Sequence, residues 1–165
     1  MAFRFKYIGE KTHQTFYLYN VDWSVGQIGG NVREDVMLVQ VLLRIVFYEL
    51  AGKGGLTPPP GNDGIAVDGY YGPVTQRHIT QFQDEAAARS QNIKRDGVFD
   101  PFRKQGSLSH ISHTRYSMEL LNNFCSNLCD QNHMRNYDDM LLRDDIPTQL
   151  RNALKTVKTT AAQYR

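Results

Sequence analysis

The chain has 165 residues, of which 41% are hydrophobic and 22% are charged, and its formal net charge is +2. A chain of this size buries a core without disulfides or metals, and it forms one domain or one small domain with extensions. The small net charge argues against a nucleic-acid partner, and no segment is long and apolar enough to span a bilayer. The sequence therefore predicts a globular protein with no nucleic-acid partner and no membrane span.

The N-terminal sequence, Met1 to Lys6, lacks the apolar run and the small-residue cleavage site of a signal peptide. We therefore expect no signal peptide and synthesis in the cytoplasm, with delivery to the periplasm or cell wall only by a route that needs no such signal. The two cysteines, Cys125 and Cys129, do not indicate an oxidising compartment.

Residues 3–23 are rich in aromatic and β-branched side chains that alternate with other residues, and the run is interrupted between Gly9 and His13. This pattern predicts two strands of a β-hairpin. Because a lone two-stranded ribbon is only marginally stable, we expect the hairpin to pack on the helices or on a partner chain.

Helical periodicity begins after a glycine-rich link. Asn31 followed by Glu34 is typical of a helix N-cap, and apolar residues recur from Val36 to Leu50 at the spacing of one helix face. The pattern stops at Gly52, which predicts the end of this first helix.

The proline-rich residues 56–64 are predicted to form a loop. Residues 131–145 are polar and are also predicted to form a loop. Three other segments have helical patterns. The first runs from Pro73 to the alanines 86–88, the second covers about residues 114–130, and the third opens at Ile146-Pro147-Thr148 with an apolar stripe of Leu150, Leu154 and Val157.

The most specific pattern is Asp68-Gly69-Tyr70-Tyr71-Gly72-Pro73-Val74-Thr75. Two glycines give the backbone the freedom that a tight turn needs, and Pro73 suits the first position of a helix, where a missing N–H costs nothing. The Asp68 carboxylate is placed to accept hydrogen bonds from turn amides. The sequence therefore favours a structural role for these residues, as a turn that leads into the start of a helix.

Four features around this turn resemble the peptidoglycan-binding domain 1 family over residues 25–103. They are the apolar–Gln pair Val39-Gln40, the turn itself, Phe82-Gln83 at the end of the next helix, and a second turn at Asp96-Gly97. The family is a small three-helix module. The resemblance therefore implies a mainly α fold, with a three-helix bundle in residues 25–130, an N-terminal β-hairpin arm in residues 1–24 and a C-terminal helical extension in residues 131–165.

The resemblance implies a non-catalytic module without a cofactor that binds peptidoglycan or its stem peptide. The implied ligand-binding residues are Asp68, Gly69, Tyr70, Tyr71, Gly72 and Thr75. Of the two tyrosines we expect Tyr71 to lie in the core and Tyr70 to face a ligand, because tyrosine offers an apolar plane with a polar tip. Gln40 and Gln83 are expected to tie down loops by hydrogen bonds rather than touch a ligand.

The sequence leaves a second hypothesis open. The second turn departs from the family pattern, with Asp100 where glycine is usual and Arg103 where threonine is usual. A protein-interaction or assembly component, or an effector-associated protein, of a phage-like particle or secretion machine, with this fold but no sugar ligand, would explain that departure and the missing signal peptide. It would meet protein partners through the N-terminal hairpin or the C-terminal helix.

The remaining polar residues were considered as a metal site, and the sequence favours ordinary structural roles for them. Cys125, Cys129 and His133 are spaced as a zinc-binding helix face would need, but they lack an obvious fourth ligand, so two buried thiols and a surface histidine are favoured. His78, His110 and His113 lack acidic residues at ligand spacing. The carboxylates of Glu34, Asp35, Glu49, Asp84 and Glu85 are expected on solvated helix faces, so neither a metal nor a catalytic site is predicted.

Overall fold

The protein is described by a computed structural model for residues 1–159. Of these residues 36% are helical and 13% lie in strands. In chain order the elements are β1 (Phe3–Ile8), β2 (Thr15–Asn20), β3 (Val25–Gly26), α1 (Arg33–Arg44) continued by a π-helical turn (Ile45–Glu49), α2 (Pro73–Ala88), β4 (Val98–Phe99), α3 (Ser117–Gln131), a 3-10 turn (Met140–Leu142), α4 (Thr148–Ala153) and β5 (Val157–Lys158).

The prediction of a mainly α three-helix bundle was wrong, because the described chain is a mixture of helices and two small sheets. One sheet has the strand order β2-β1-β5, and the other pairs β3 with β4. Strands of two residues are too short to show a period-two pattern, so β3, β4 and β5 leave no signal in the sequence. Val157, which was predicted on the last helix, lies in β5 and pairs in parallel with Arg4, because α4 ends at Ala153.

The predicted N-terminal hairpin is confirmed. β1 and β2 are antiparallel, with Phe3 opposite Asn20 and Ile8 opposite Thr15. The far edge of β2 is covered by α3, since Asn122 accepts the N–H of Tyr19 and donates to its carbonyl, both at 2.8 Å. A helix side chain therefore takes the place of a neighbouring strand at this edge.

Helix α1 is the centre of the fold. Every residue from Asp35 to Leu43 is buried, because β2, β3, α2, α3 and α4 all contact this helix. The prediction of one apolar face was therefore too narrow. Asp35, which was expected on a solvated face, is buried, and its carboxylate accepts the backbone N–H groups of Asp22 at 3.2 Å and Trp23 at 3.0 Å.

Asn31 does not cap α1, contrary to the prediction. Val32 is the N-cap residue, and no side chain caps it. Asn31 instead has a φ of 49°, and its side chain accepts the N–H of Gly26 at 2.8 Å and donates to the Gly26 carbonyl at 2.9 Å. The Asn31 side chain closes the loop between β3 and α1, a role that asparagine takes because it tolerates the left-handed region.

Residues 131–145 are irregular apart from the 3-10 turn, and ion pairs hold part of this segment to the core. Arg143 contacts both Glu49 and Asp145, and Arg44 pairs with Asp145 at 2.9 Å. Glu49 is thus part of a half-buried network, not of a solvated face. The division of the chain at residues 24 and 130 stays a prediction; Phe3, Leu38 and Leu150 all belong to one core cluster.

Candidate functional site

The predicted turn is built around the side-chain amide of Gln40, which is buried at the centre of α1. The Gln40 oxygen accepts the N–H groups of Asp68 at 3.1 Å and Gly69 at 2.9 Å. Its nitrogen lies within hydrogen-bond distance of the Asp68 carboxylate (3.0 Å), the Tyr70 carbonyl (3.1 Å) and the Thr75 hydroxyl (3.1 Å). One side chain therefore fixes the whole turn to the core.

The conformation of the turn requires glycine at position 69. Gly69 has a φ of 73°, and a Cβ at this position would lie 2.4 Å from the Cγ of Arg33. The Asp68 carboxylate accepts the N–H of Tyr70 at 2.9 Å, which closes the turn as the sequence predicted.

The second turn repeats this arrangement around Gln83 at the end of α2. The Gln83 oxygen accepts the N–H of Gly97 at 2.8 Å, and its nitrogen contacts Asp96 (3.4 Å), the Val98 carbonyl (3.1 Å) and the Ser117 hydroxyl (3.2 Å). Gly97 has a φ of 72°, close to that of Gly69. We call the two arrangements the first corner (Gln40, Asp68–Gly69, Thr75) and the second corner (Gln83, Asp96–Gly97, Ser117).

The two corners show that the chain contains a structural repeat of helix, turn and helix. The expected loop-fixing roles of Gln40 and Gln83 are both confirmed. The repeats differ after the turn: α2 begins at Pro73, directly after the first corner, whereas α3 begins only at Ser117. A longer segment therefore separates the second corner from α3, and the helix predicted at about residues 114–130 takes the third position.

A small apolar cleft of about 160 Å³ opens beside the first corner. Tyr70 is 70% exposed and forms one wall, and its ring lies across the backbone of Gly72, where a Cβ would come within 2.6 Å of the ring. Gly72 is thus needed for the position of the ring. The cleft is lined by Gln40, Ile65, Ala66, Asp68, Tyr70, Gly72, Pro73, Val74 and Thr75.

Five of the six predicted site residues meet at this corner. Asp68, Tyr70, Gly72 and Thr75 line the cleft, and Gly69 lies in the turn behind it. Tyr71 does not line the cleft: its ring is partly buried against the core, as predicted, and its hydroxyl donates to the side chain of Gln76.

The N-terminus of α2 faces the same cleft. Pro73 occupies the start of the helix, and no side chain caps Gly72 at the N-cap position. Val74 and Thr75 follow within the first turn, where backbone N–H groups have no partner inside the helix. The amide of Gly69 is already bonded to Gln40, so it does not add a donor to this site.

Sequence reasoning missed three apolar residues of the cleft, Ile65, Ala66 and Val74. Ile65 is buried and Val74 is 41% exposed. The sequence gives only a weak indication of Ile65 and Ala66, because this apolar pair follows the proline-rich loop and belongs to no periodic segment. Only the folded turn brings these residues next to Tyr70.

The proline-rich loop packs along α2 and not over Tyr70. Gln81 donates to the Thr57 carbonyl at 3.0 Å, and Arg77 donates to the Asn62 side chain at 3.3 Å. Beneath the loop, the Tyr48 hydroxyl lies 2.7 Å from Nε2 of His78, and Nδ1 of His78 lies 2.7 Å from the Val74 carbonyl. A neutral His78 satisfies both contacts, with Nδ1–H donating to Val74 and Nε2 accepting from Tyr48.

This arrangement predicts acid sensitivity. Burial lowers the pKa of His78 below its usual 6.5, so the unfolded chain takes up the proton first as the pH falls. The stability from neutral His78 is complete above about pH 6.5 and is lost as the pH falls toward the lower folded pKa. We expect the free energy of unfolding, measured by urea denaturation, to fall less between about pH 7 and pH 5 in His78→Gln than in the wild type.

The comparison with a variant is essential, because burial raises the pKa values of Asp35 and Glu119 and gives them the opposite pH dependence. His110→Gln, at an exposed histidine, is the matched control and should keep the wild-type pH profile. Parallel profiles for the wild type and His78→Gln would contradict the assignment.

The two cysteines and His133 do not form a metal-binding face. Both thiols are free and buried, Cys125 donates to the Leu42 carbonyl at 3.4 Å, and burial raises the pKa of this thiol. His133 is exposed beyond the end of α3, with a φ of 54°. Within residues 1–159, no group of three or more His, Cys, Asp and Glu side chains is placed to hold a metal ion.

Comparisons of the chain with protein-family models, with curated proteins and with solved structures find no match. The resemblance to the peptidoglycan-binding family therefore rests on the motif residues, and membership of that family stays a prediction. Across residues 1–159, none of the helices combines the length and the apolar character needed to cross a membrane.

Proposed function

We propose that the protein is a non-catalytic binding module that recognises the stem peptide of peptidoglycan at the first corner. The observation that carries this proposal is the cleft beside Tyr70, where an exposed aromatic ring, an apolar floor and an uncapped helix start meet. The turn that positions them is fixed by Gln40, so the cleft is preorganised.

The size of the cleft favours a peptide over a sugar. Its volume of about 160 Å³ lies well below the 300–1,000 Å³ of sites that enclose a whole small molecule. A cleft of this size has room for one small residue, such as an alanyl residue whose methyl packs on the apolar surface of Ile65 and Val74. Tyr70 then covers the methyl group with its ring face.

The charge distribution orients such a peptide. A terminal carboxylate is favoured at the N-terminus of α2, where the helix dipole is positive and the N–H groups of Val74 and Thr75 lack helical partners. The Asp68 carboxylate, which also lines the cleft, disfavours a second anion beside it. The proposed ligand therefore places its alanyl methyl in the cleft and its carboxylate toward α2.

Tyr70→Ala tests this proposal. We expect the variant to bind purified sacculi and a synthetic alanine-terminated stem peptide about tenfold more weakly, because it loses one wall of the cleft. Co-sedimentation measures the first affinity and isothermal titration calorimetry the second. The fold should be retained, because Tyr70 is largely exposed.

Tyr17→Ala is the matched control, since Tyr17 is another exposed tyrosine that lies on the hairpin, away from the cleft. It should bind sacculi as the wild type does. Wild-type protein that stays in the supernatant at both low and physiological salt, or a Tyr70→Ala variant that binds normally, would refute the proposal.

The alternative function, an assembly component without wall binding, is favoured by a different observation. The hairpin carries three exposed aromatic and aliphatic side chains, Ile8, Phe16 and Tyr17, which lie outside the cleft at the first corner. A discrete complex in size-exclusion chromatography, together with no affinity for sacculi, would select this alternative.

A further inference from the structure

A large groove lies between the outer half of the hairpin and the loop that contains Lys104. Its volume is about 910 Å³. The Phe5, Tyr7 and Phe16 rings face it, and the last two are stacked with their centroids 5.3 Å apart. Ile8 lies at its rim and is 61% exposed. The groove shares no lining residue with the cleft at the first corner.

An open strand edge runs along this groove. The N–H of Arg4 donates to the Thr156 carbonyl, so the backbone of Arg4 faces β5. Since alternate residues of a strand face the same edge, the backbone groups of Lys6 and Ile8 face that side too. β5 pairs only with Arg4 and Phe5, and within residues 1–159 no strand pairs with this edge at Ile8.

The rim of the groove is positively charged. Lys6, Lys11 and Lys104 line it, against one acidic residue, Glu10. A partner with acidic side chains is therefore attracted, and a partner with basic side chains is repelled. The aromatic floor in addition requires an apolar side chain from the partner.

We propose that this groove binds an extended acidic segment of a partner protein, which adds as a strand to the open edge of β1. Its backbone pairs with Ile8, beyond the Lys6 N–H that the pairing with β5 already uses, its apolar side chains alternate onto the Tyr7–Phe16 stack, and its carboxylates meet the three lysines. This inference does not rest on the proposed function, because the groove and the first corner are separate.

A second copy of the chain is a poorer occupant. In a twofold symmetric contact, the lysines of one groove would face the lysines of the other. Like charges directly across paired strands are destabilising. The charge of the groove thus selects a different partner rather than a symmetric dimer.

Two fluorescein-labelled octapeptides with alternating residues, one of Glu and Val and one of Lys and Val, provide the probe. With the full chain, fluorescence anisotropy should show binding of the Glu-Val peptide, at least about tenfold stronger than that of the Lys-Val peptide, and binding should weaken as salt is added. Hydrogen exchange of the Ile8 amide should slow in the complex, which a contact through side chains alone would not produce.

Ile8→Pro and Ile8→Ala form the decisive pair of variants. Both remove the isoleucine side chain, but only proline removes the N–H on the open edge. The hairpin should survive, because this N–H faces away from β2. We expect Ile8→Pro to bind the Glu-Val peptide at least about tenfold more weakly than Ile8→Ala does, while Lys104→Glu, which makes the charge of the groove neutral, should remove most of the preference between the two peptides.

Several results would overturn the proposal. They are no binding of the Glu-Val peptide at about 1 mM, equal binding of both peptides, equal affinity of the Ile8→Pro and Ile8→Ala variants, or displacement by inorganic polyphosphate with the variants unaffected, which would indicate a general anion site. A dimer in analytical ultracentrifugation that Ile8→Pro abolishes would instead assign the edge to a second copy. Loss of sacculus binding in Tyr70→Ala bears only on the first corner.

Discussion

We expect Gln40→Met to lower the free energy of unfolding by about 2–4 kcal/mol, because it leaves the buried polar groups that Gln40 satisfies without partners. Methionine has a similar size and shape, so the loss reflects hydrogen bonds rather than a cavity. Five polar atoms of the first corner contact the Gln40 amide, including the N–H groups of Asp68 and Gly69. Urea denaturation measures the change.

Gln149→Met is the control for this prediction. Gln149 is exposed, and its nitrogen donates to Glu34 at the surface, so the change should stay within about 0.5 kcal/mol. The Gln40→Met variant should also lose affinity for the stem peptide, because Asp68 and Tyr70 are positioned through Gln40. A Gln40→Met variant as stable as the wild type would show that the turn does not depend on the hydrogen bonds of Gln40.

Asn122→Leu is expected to have the largest effect on stability, about 3 kcal/mol or more. The Asn122 oxygen accepts from the N–H of Tyr19 at 2.8 Å and from the Tyr137 hydroxyl at 2.6 Å, and its nitrogen donates to the Tyr19 carbonyl. All these groups are buried, so leucine leaves the backbone N–H and carbonyl of Tyr19 and the Tyr137 hydroxyl without these partners. Thermal unfolding followed by circular dichroism measures the loss.

The same helix provides a comparison. Asn127 lies on α3 with an exposed side chain, and Asn127→Leu should change the stability by no more than about 0.5 kcal/mol. If the two variants were equally stable, the contact between β2 and α3 would not depend on the Asn122 bridge. Hydrogen exchange at Tyr19 locates the effect, because this amide loses its acceptor only in Asn122→Leu.

The corners were the most predictable part of the protein, because they depend on residues close together in sequence. The backbone preferences of Asp68, Gly69 and Pro73 are local and do not depend on the rest of the fold. The turn and the start of α2 were therefore predicted correctly. The roles of Gln40 and Gln83 followed from the same motif. The hairpin could also be predicted from the sequence, because β1 and β2 are each six residues long and rich in aromatic side chains.

The remaining features depend on contacts between distant residues, which a local pattern does not encode. β5 exists because β1 pairs with it, and α1 is buried on all sides because sheets and helices surround it. Asp35 has the sequence position of a solvated first-turn carboxylate, but the backbone of Asp22 and Trp23 folds over it. The cleft could be predicted only in part, because Ile65 and Ala66 reach Tyr70 through an irregular loop.

The pairing of β5 with β1 also governs the order of events during biosynthesis. The Arg4 guanidinium donates to the Leu154 carbonyl across 150 positions of the chain, and the Arg4 amide donates to Thr156. β1 therefore waits for the synthesis of residues 154–158 before its sheet is complete. Such distant closure carries a high loop entropy and slows folding, so the edge of the hairpin that faces β5 stays without this partner until translation passes Lys158.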